Sequence, residues 1–144
     1  MSIATNLALA VTNDLKEQFD SENRTVSLSL VPRTDIKALH GKTLIMVCPR
    51  SVKTESDTRL AGAVYRVSID VGVMRQCPID NGDISDLTDQ VEDVLSFLRR
   101  KTLTGFPQAK WVSAENKPIY DVSRLLNEAT FFSVISFDYL IRGV

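Results

Sequence analysis

The residues of this chain that could carry chemistry are few, and their spacing does not assemble a site. His40-Gly41-Lys42-Thr43 has the end of a phosphate-binding loop, but Ile36 stands where the loop's first glycine belongs, five residues before Gly41. The Leu44-Ile45-Met46-Val47 that follows reads as a strand, whereas that loop must open a helix whose N-terminus holds the phosphate. His40 is the single histidine, which excludes a histidine-rich metal centre, and Cys48 and Cys77 lack metal-ligand spacing. A Cys48/His40 dyad would set base and nucleophile eight residues apart across a turn and a strand, and no serine sits in a Gly-x-Ser-x-Gly elbow. The carboxylates Asp83, Asp86, Asp89, Glu92 and Asp93 are explained by capping and solvation of a helix, and Arg99-Arg100-Lys101 by the negative end of the same helix dipole. Asn23-Arg24-Thr25 fits a glycosylation acceptor, a pattern with meaning only in an exported chain. The expectation is a non-enzyme with no catalytic residue, no metal and no cofactor.

The elements that would position such residues are clearer. In 144 residues, 44% apolar and 24% charged, there is room for one core, and the chain reads as a single domain over 1–144. No apolar run approaches the roughly 20 residues of a membrane span. The start has no basic segment leading into an apolar one, so it reads as soluble, unexported and with free thiols. A net charge of −1 offers no general attraction to nucleic acid or acidic membranes.

Ile3, Leu7, Val11, Leu15 and Phe19 recur at steps of four and predict a helix ending near Asp20. Strands are predicted at 25–31, stopped by Pro32, and at 44–48, where the run is continuously apolar. Val64 to Val73 alternates strictly, Tyr65, Val67, Ile69, Val71 and Val73 against Arg66, Ser68, Asp70 and Gly72, which predicts a strand with one buried and one wet face. Ile84, Leu87, Val91, Val94, Leu95 and Leu98 predict a second helix over about 84–101, with Asp83 or Ser85 as N-cap and Phe97 either on a core flank or exposed. A short strand at 110–114, one or two helical turns at 120–126 and a strand at 131–141 complete the chain. The predicted class is α+β: a mainly antiparallel sheet of four to five strands with two main helices packed on one face.

Two features point toward assembly. The last strand is apolar on both phases, so Phe132, Val134 and Leu140, opposite Ile135, Phe137, Tyr139 and Ile141, ask for a cover beside the wet phase of 64–73. That cover is either a neighbouring subunit or an intramolecular one such as the segment around Tyr120. The segment 49–62 has few apolar residues and carries Arg50, Lys53, Glu55, Asp57 and Arg59, a pattern that predicts a projecting polar loop, mobile in the isolated protein and ordered when complementary surface arrives, with an ordinary solvated hairpin loop as the alternative.

The element order, the strand ending Val71-Gly72-Val73, the helix Leu87 to Leu98, and the ending Asn127-Glu128-Ala129-Thr130-Phe131-Phe132-Ser133-Val134-Ile135-Ser136-Phe137-Asp138-Tyr139 resemble the tail terminator, or tail completion, proteins of long-tailed bacteriophages. The resemblance covers most of the chain and rests on hydrophobic patterns, not on invariant chemical residues. It implies a non-catalytic virion protein, assembled in the host cytoplasm into a ring, usually a hexamer. That ring ends the tail tube and presents a surface to the neck or head-completion protein, with virion DNA passing through the channel without sequence-specific binding. It implies no cofactor and no membrane. A neck or minor capsid protein is the alternative within this class, and a small ligand-binding or regulatory α+β domain the alternative outside it.

Overall fold

The computed structural model describes residues 2–30, 42–56, 63–76 and 81–142. The four-residue stripe becomes helix α1 (Ile3–Phe19), whose N-cap Ser2 accepts a hydrogen bond from the Thr5 N–H at 3.2 Å. Strands β1 (Arg24–Leu28), β2 (Thr43–Ser56) and β3 (Ala63–Gln76) follow, then helix α2 (Asn81–Leu98), strand β4 (Lys110–Asn116), helix α3 (Val122–Glu128) and strand β5 (Thr130–Arg142). The five strands form one sheet in the order β1-β2-β3-β5-β4. All pairs are antiparallel except β1 with β2, which run parallel. A tight turn cannot join parallel neighbours, which is why a long connection separates them in the sequence.

One face of the sheet carries the core. The alternating phase Val67, Ile69, Val71 and Val73 on β3 and the phase Phe131, Ile135, Phe137, Tyr139 and Ile141 on β5 are buried in one cluster with Leu7, Val11 and Leu15 of α1 and Leu87, Val91, Val94 and Leu98 of α2. Register fixes this agreement: Ile69 pairs with Phe137 and Val71 with Ile135, so both strands bury the same side. The α+β reading and the placement of both long helices on one face hold. Phe97 lies on the core flank, its ring edge-on to Phe19 with centroids 5.4 Å apart.

Boundaries differ where local pairing overrides composition. β2 continues to Ser56, with Lys53 paired to Arg66 and Thr54 to Tyr65, so the charges at 49–56 lie on a strand and not in a loop. A bulge between Pro49 and Ser51 accommodates the proline and lets the ladder resume. The loop expected over 49–62 is thus a strand through Ser56, and residues 57–62 lie outside the described residues. β1 ends at Leu28, short of the predicted Val31. α2 starts at Asn81 and ends at Leu98. Asp83 and Ser85 therefore sit inside its first turns rather than at the cap, and Arg99 to Lys101 follow the helix, with Arg100 left-handed at φ 57°.

The segment after α2 is fastened to α1 through a buried carboxylate. Asp14 is 4% exposed, and its Oδ2 accepts the Thr104 N–H at 3.1 Å. α3 is capped by Asp121, whose Oδ1 accepts the Arg124 N–H at 3.1 Å, and it buries Leu125 against the core. Asp121→Ala is expected to lower unfolding free energy by about 0.5–2 kcal/mol, while Asp121→Asn, which can still cap, keeps most of it. Urea melts of both variants decide this. An equal loss in the two would move the effect to the Asp121–Arg124 ion pair.

Candidate functional site

The sheet face away from the helices is the surface that needs an account. Its side chains come from β2, β3 and β5 at alternate positions, and it grades from apolar to charged along the strands. At one end Met46, 7% exposed, and Met74, fully buried, form a small second cluster with the half-buried Leu44 and Phe132. The strict wet phase read for 64–73 stops at Gly72, and Met74, the next position on that phase, supplies cover for β5 that the alternation through Val73 does not predict.

The middle of the face is a polar ladder. Arg50 reaches across from β2, donating to Ser136 Oγ at 3.0 Å and lying 3.6 Å from Asp70 Oδ1. Ser136 in turn donates to Asp70 at 2.8 Å. One row further, Ser68 donates to Asp138 at 2.6 Å, and Arg66 lies 3.7 Å from the same carboxylate. These pairs are partly solvated, each worth about 0–1 kcal/mol, so they order the surface more than they stabilise the fold. Cys48, paired in register with Asp70, has its thiol pushed up by burial and then by that carboxylate. A thiol held protonated is the opposite of an activated nucleophile. His40 and Cys77 lie outside the described residues. Among the described residues no group of acidic, histidine or cysteine side chains is clustered to hold a metal ion.

The far end of the face is basic. Lys53, Arg66, Leu140 and Lys110 occupy one row across β2, β3, β5 and β4. The predicted contact residues are therefore spread along the face. Phe132 and Val134 join the methionine end, Arg50 stands in the polar middle, and Lys53 and Leu140 lie at the basic end. Glu55 is in β2, paired with Val64, while Asp57 and Arg59 lie outside the described residues. Phe132, Val134 and Leu140 are all half-buried. The cover over Phe132 is intramolecular in part: the Arg124 guanidinium stands 4.3 Å from its ring centroid. Tyr120, the other suggested cover, packs on the helix side against Phe131, with ring centroids 5.7 Å apart.

Two further surface features were not singled out from the sequence. Ile119, Val122 and Leu126, at 57%, 55% and 61% exposure, form an apolar stretch on and before α3. On the helix side, Ser21, Asn23, Arg24, Thr43, Arg75 and Gln90 line an open cleft of about 540 Å³. The first was legible as apolar residues at helical spacing with nothing said of their partner. The second joins four elements, and no spacing along the chain signals it.

This arrangement defines a class of fold: a single mixed sheet with one helix-covered face and one open, patterned face. No family model and no curated protein matches the sequence. Among solved structures, a chain from the virion of a native gene transfer agent particle superposes with a TM-score of 0.65 at 14% identity, over 99% of this chain and 98% of that one. The sheath/tube terminator of an extracellular contractile injection system, in its extended state, superposes with a TM-score of 0.54 at 12% identity, over 100% of this chain and 57% of that one. The chain thus spans little more than half of the second protein's length, and the fold is what these likenesses establish.

Proposed function

We propose that the protein is a structural component of a phage-type tail, a terminator that closes the head-proximal end of the tail tube as a ring, a hexamer, and joins it to the neck. The observation that carries this is the end-to-end match of the fold to a virion chain, 99% of one on 98% of the other, together with a second match to a tube terminator. The face away from the helices supports it, since it grades from an apolar end, where Phe132 and Val134 are half-buried, to a charged end. On this reading the apolar end, with Val134 and Phe132, meets a neighbouring subunit. The end of β2 that carries Arg50, Lys53 and Glu55, with Asp57 and Arg59 following it in the sequence, meets a neighbour or the tube, the neck protein docks on the other side of the ring, and virion DNA crosses the channel. The protein then resides in the virion, after assembly in the host cytoplasm, and performs no catalysis.

Electron microscopy of the purified protein tests the ring: six-fold particles with an axial channel are expected. A monomer carrying a stoichiometric small molecule would overturn the reading in favour of a ligand-binding domain. Val134→Asp is expected to fold, because this residue lies on the half-buried phase of β5, and to weaken self-association at least tenfold in sedimentation. A folded Val134→Asp protein that associates like its parent would remove the apolar end of the open face from the contact.

A further inference from the structure

The sheet ends at β4 on one side and, over part of its height, at β2 on the other. β1 pairs with β2 only from Thr43 to Val47, and the Ser29 N–H adds one bond to the Val47 carbonyl at 2.8 Å. Beyond Val47 no strand lies outside β2 among the described residues, and Ser51, Val52 and Thr54 are exposed. Val52 shows the consequence. It pairs with the fully buried Val67 and so lies on the helix-covered phase, yet it is 45% exposed. β4 likewise has β5 on one side only, with Lys110, Ser113 and Glu115 exposed. A bare edge turns the N–H and C=O of every second residue outward, a template for another strand that natural sheets blunt, cover or pair.

The two edges match in rows, direction and number of residues. Lys53 and Lys110 stand in one row, with Arg66 and Leu140 between them, and Cys48 and Glu115 in another, with Asp70 and Ser136 between. β2 and β5 run one way and β3 and β4 the other, so β4 of one copy beside β2 of another is antiparallel. Between those rows β3 has five residues, Arg66 to Asp70, whereas β2 and β4 each have six, because each carries one bulge, at Pro49/Ser51 and at Trp111/Ser113. A bulged strand laid on a regular one leaves a residue unmatched. Laid on each other, these two do not: Cys48 meets Glu115, Arg50 meets Ser113, Val52 meets Trp111 and Lys53 meets Lys110. On the helix side the half-buried Trp111, which packs on the core, lies where Val52 lacks cover. On the other face Glu115, with no ion pair among the described residues, falls diagonal to Arg50, whose side chain is 57% exposed. The one like-charge pair, Lys53 with Lys110, stands at the end of the run.

We propose that the β4 edge of one subunit, Lys110 to Glu115, adds as an antiparallel strand to the β2 edge, Cys48 to Lys53, of a second copy of this chain, with Trp111 covering Val52 and Glu115 reaching Arg50. Main-chain hydrogen bonds supply the contact, and the side chains fix its register. The inference rests on the ring reading and adds to it the edges that meet. Pairing within the same rows joins subunits without a step along the strands, which suits a closed ring, and the last join removes both edges.

The test is a disulfide between chains. In a Cys48→Ser/Cys77→Ser background, Lys53→Cys/Lys110→Cys places two thiols directly opposite each other across the join. Within one chain the same positions are three strand spacings apart, about 14 Å, too far for a disulfide, so the bond links only different copies. Mild oxidation is expected to give a ladder of covalent multimers up to the full ring on a non-reducing gel, while each single-cysteine variant gives dimers at most. Val52→Asp, at an exposed position, keeps the fold by circular dichroism and is expected to weaken association at least tenfold in sedimentation. Backbone hydrogen exchange over 48–53 and 110–115 is expected to slow on assembly. A parent that forms rings while the cysteine pair stays uncrosslinked and Val52→Asp associates normally overturns this contact and leaves the ring reading standing. A parent that never associates overturns both. Exchange over the two edges that is the same in the dilute monomer and in the ring would mean that neither edge gains a partner on assembly, and also overturns the proposal.

Discussion

Phe137→Ala is expected to cost about 3–5 kcal/mol of stability, a large share of the roughly 5–15 kcal/mol that a domain of this size possesses. Phe137 is fully buried in β5, flanked by Ile69 on β3 and Ala114 on β4, and faces the side on which α1 and α2 pack. Strands on both sides hold the backbone in place, so the site cannot collapse to fill the vacated ring, and the cavity term adds to the lost transfer energy. Urea unfolding followed by circular dichroism should show the midpoint falling with the slope unchanged. The contrast with Val134 is the informative part. The two residues sit on one strand three positions apart, on opposite phases, and the first should act on folding while the second acts on association. A Phe137→Ala protein within 1 kcal/mol of its parent would refute the placement of the core.

That division was legible because β-strand periodicity reports burial directly. The alternation of Val67, Ile69 and Val71 named the buried phase of β3, and Phe137 and Tyr139 followed by register. The four-residue stripe of α1 was equally plain, since a helix with one apolar face has one way to pack. What the sequence hid depends on pairing across distance. The 49–56 segment looks like a loop by composition, yet β3, itself laddered to β5, extends beside it, and a strand next to a formed ladder needs little apolar content of its own. Met74 was missed as cover because the alternation was read only to Val73. Asp14 lies three residues after Val11, close to the apolar stripe, and only the return of the chain at Thr104 reveals why a carboxylate is tolerated there. The cleft was invisible for the same reason, since its lining residues on β3 and α2 come together only in the folded chain.

Tyr139→Phe is expected to stabilise the protein by about 1 kcal/mol near neutral pH, the reverse of the usual sign for a substitution in a core. Tyr139 is fully buried, and its hydroxyl has no hydrogen-bond partner among the described residues. Its cross-strand neighbour Trp111 likewise has a buried Nε1–H without one. Burying a hydroxyl unpaired costs about 1–3 kcal/mol, and phenylalanine removes that cost while keeping the ring contacts. The pH dependence gives a second, independent readout. Burial, and then the Asp14 carboxylate, raise the folded-state pKa of Tyr139 above its ordinary value. An unfolded tyrosine ionises near pH 10. Below that pH both states keep the proton, and this group contributes no slope. As pH rises past about 10 the unfolded chain releases its proton while the folded chain retains it, so parental stability falls by about 1.4 kcal/mol per unit until the folded group also titrates. The phenylalanine variant lacks this contribution. The stability difference between variant and parent should therefore be flat from pH 7 to about 9 and widen above 10 in the variant's favour. Parallel stability curves across the alkaline range would mean that the Tyr139 hydroxyl is solvated or bonded in the folded protein.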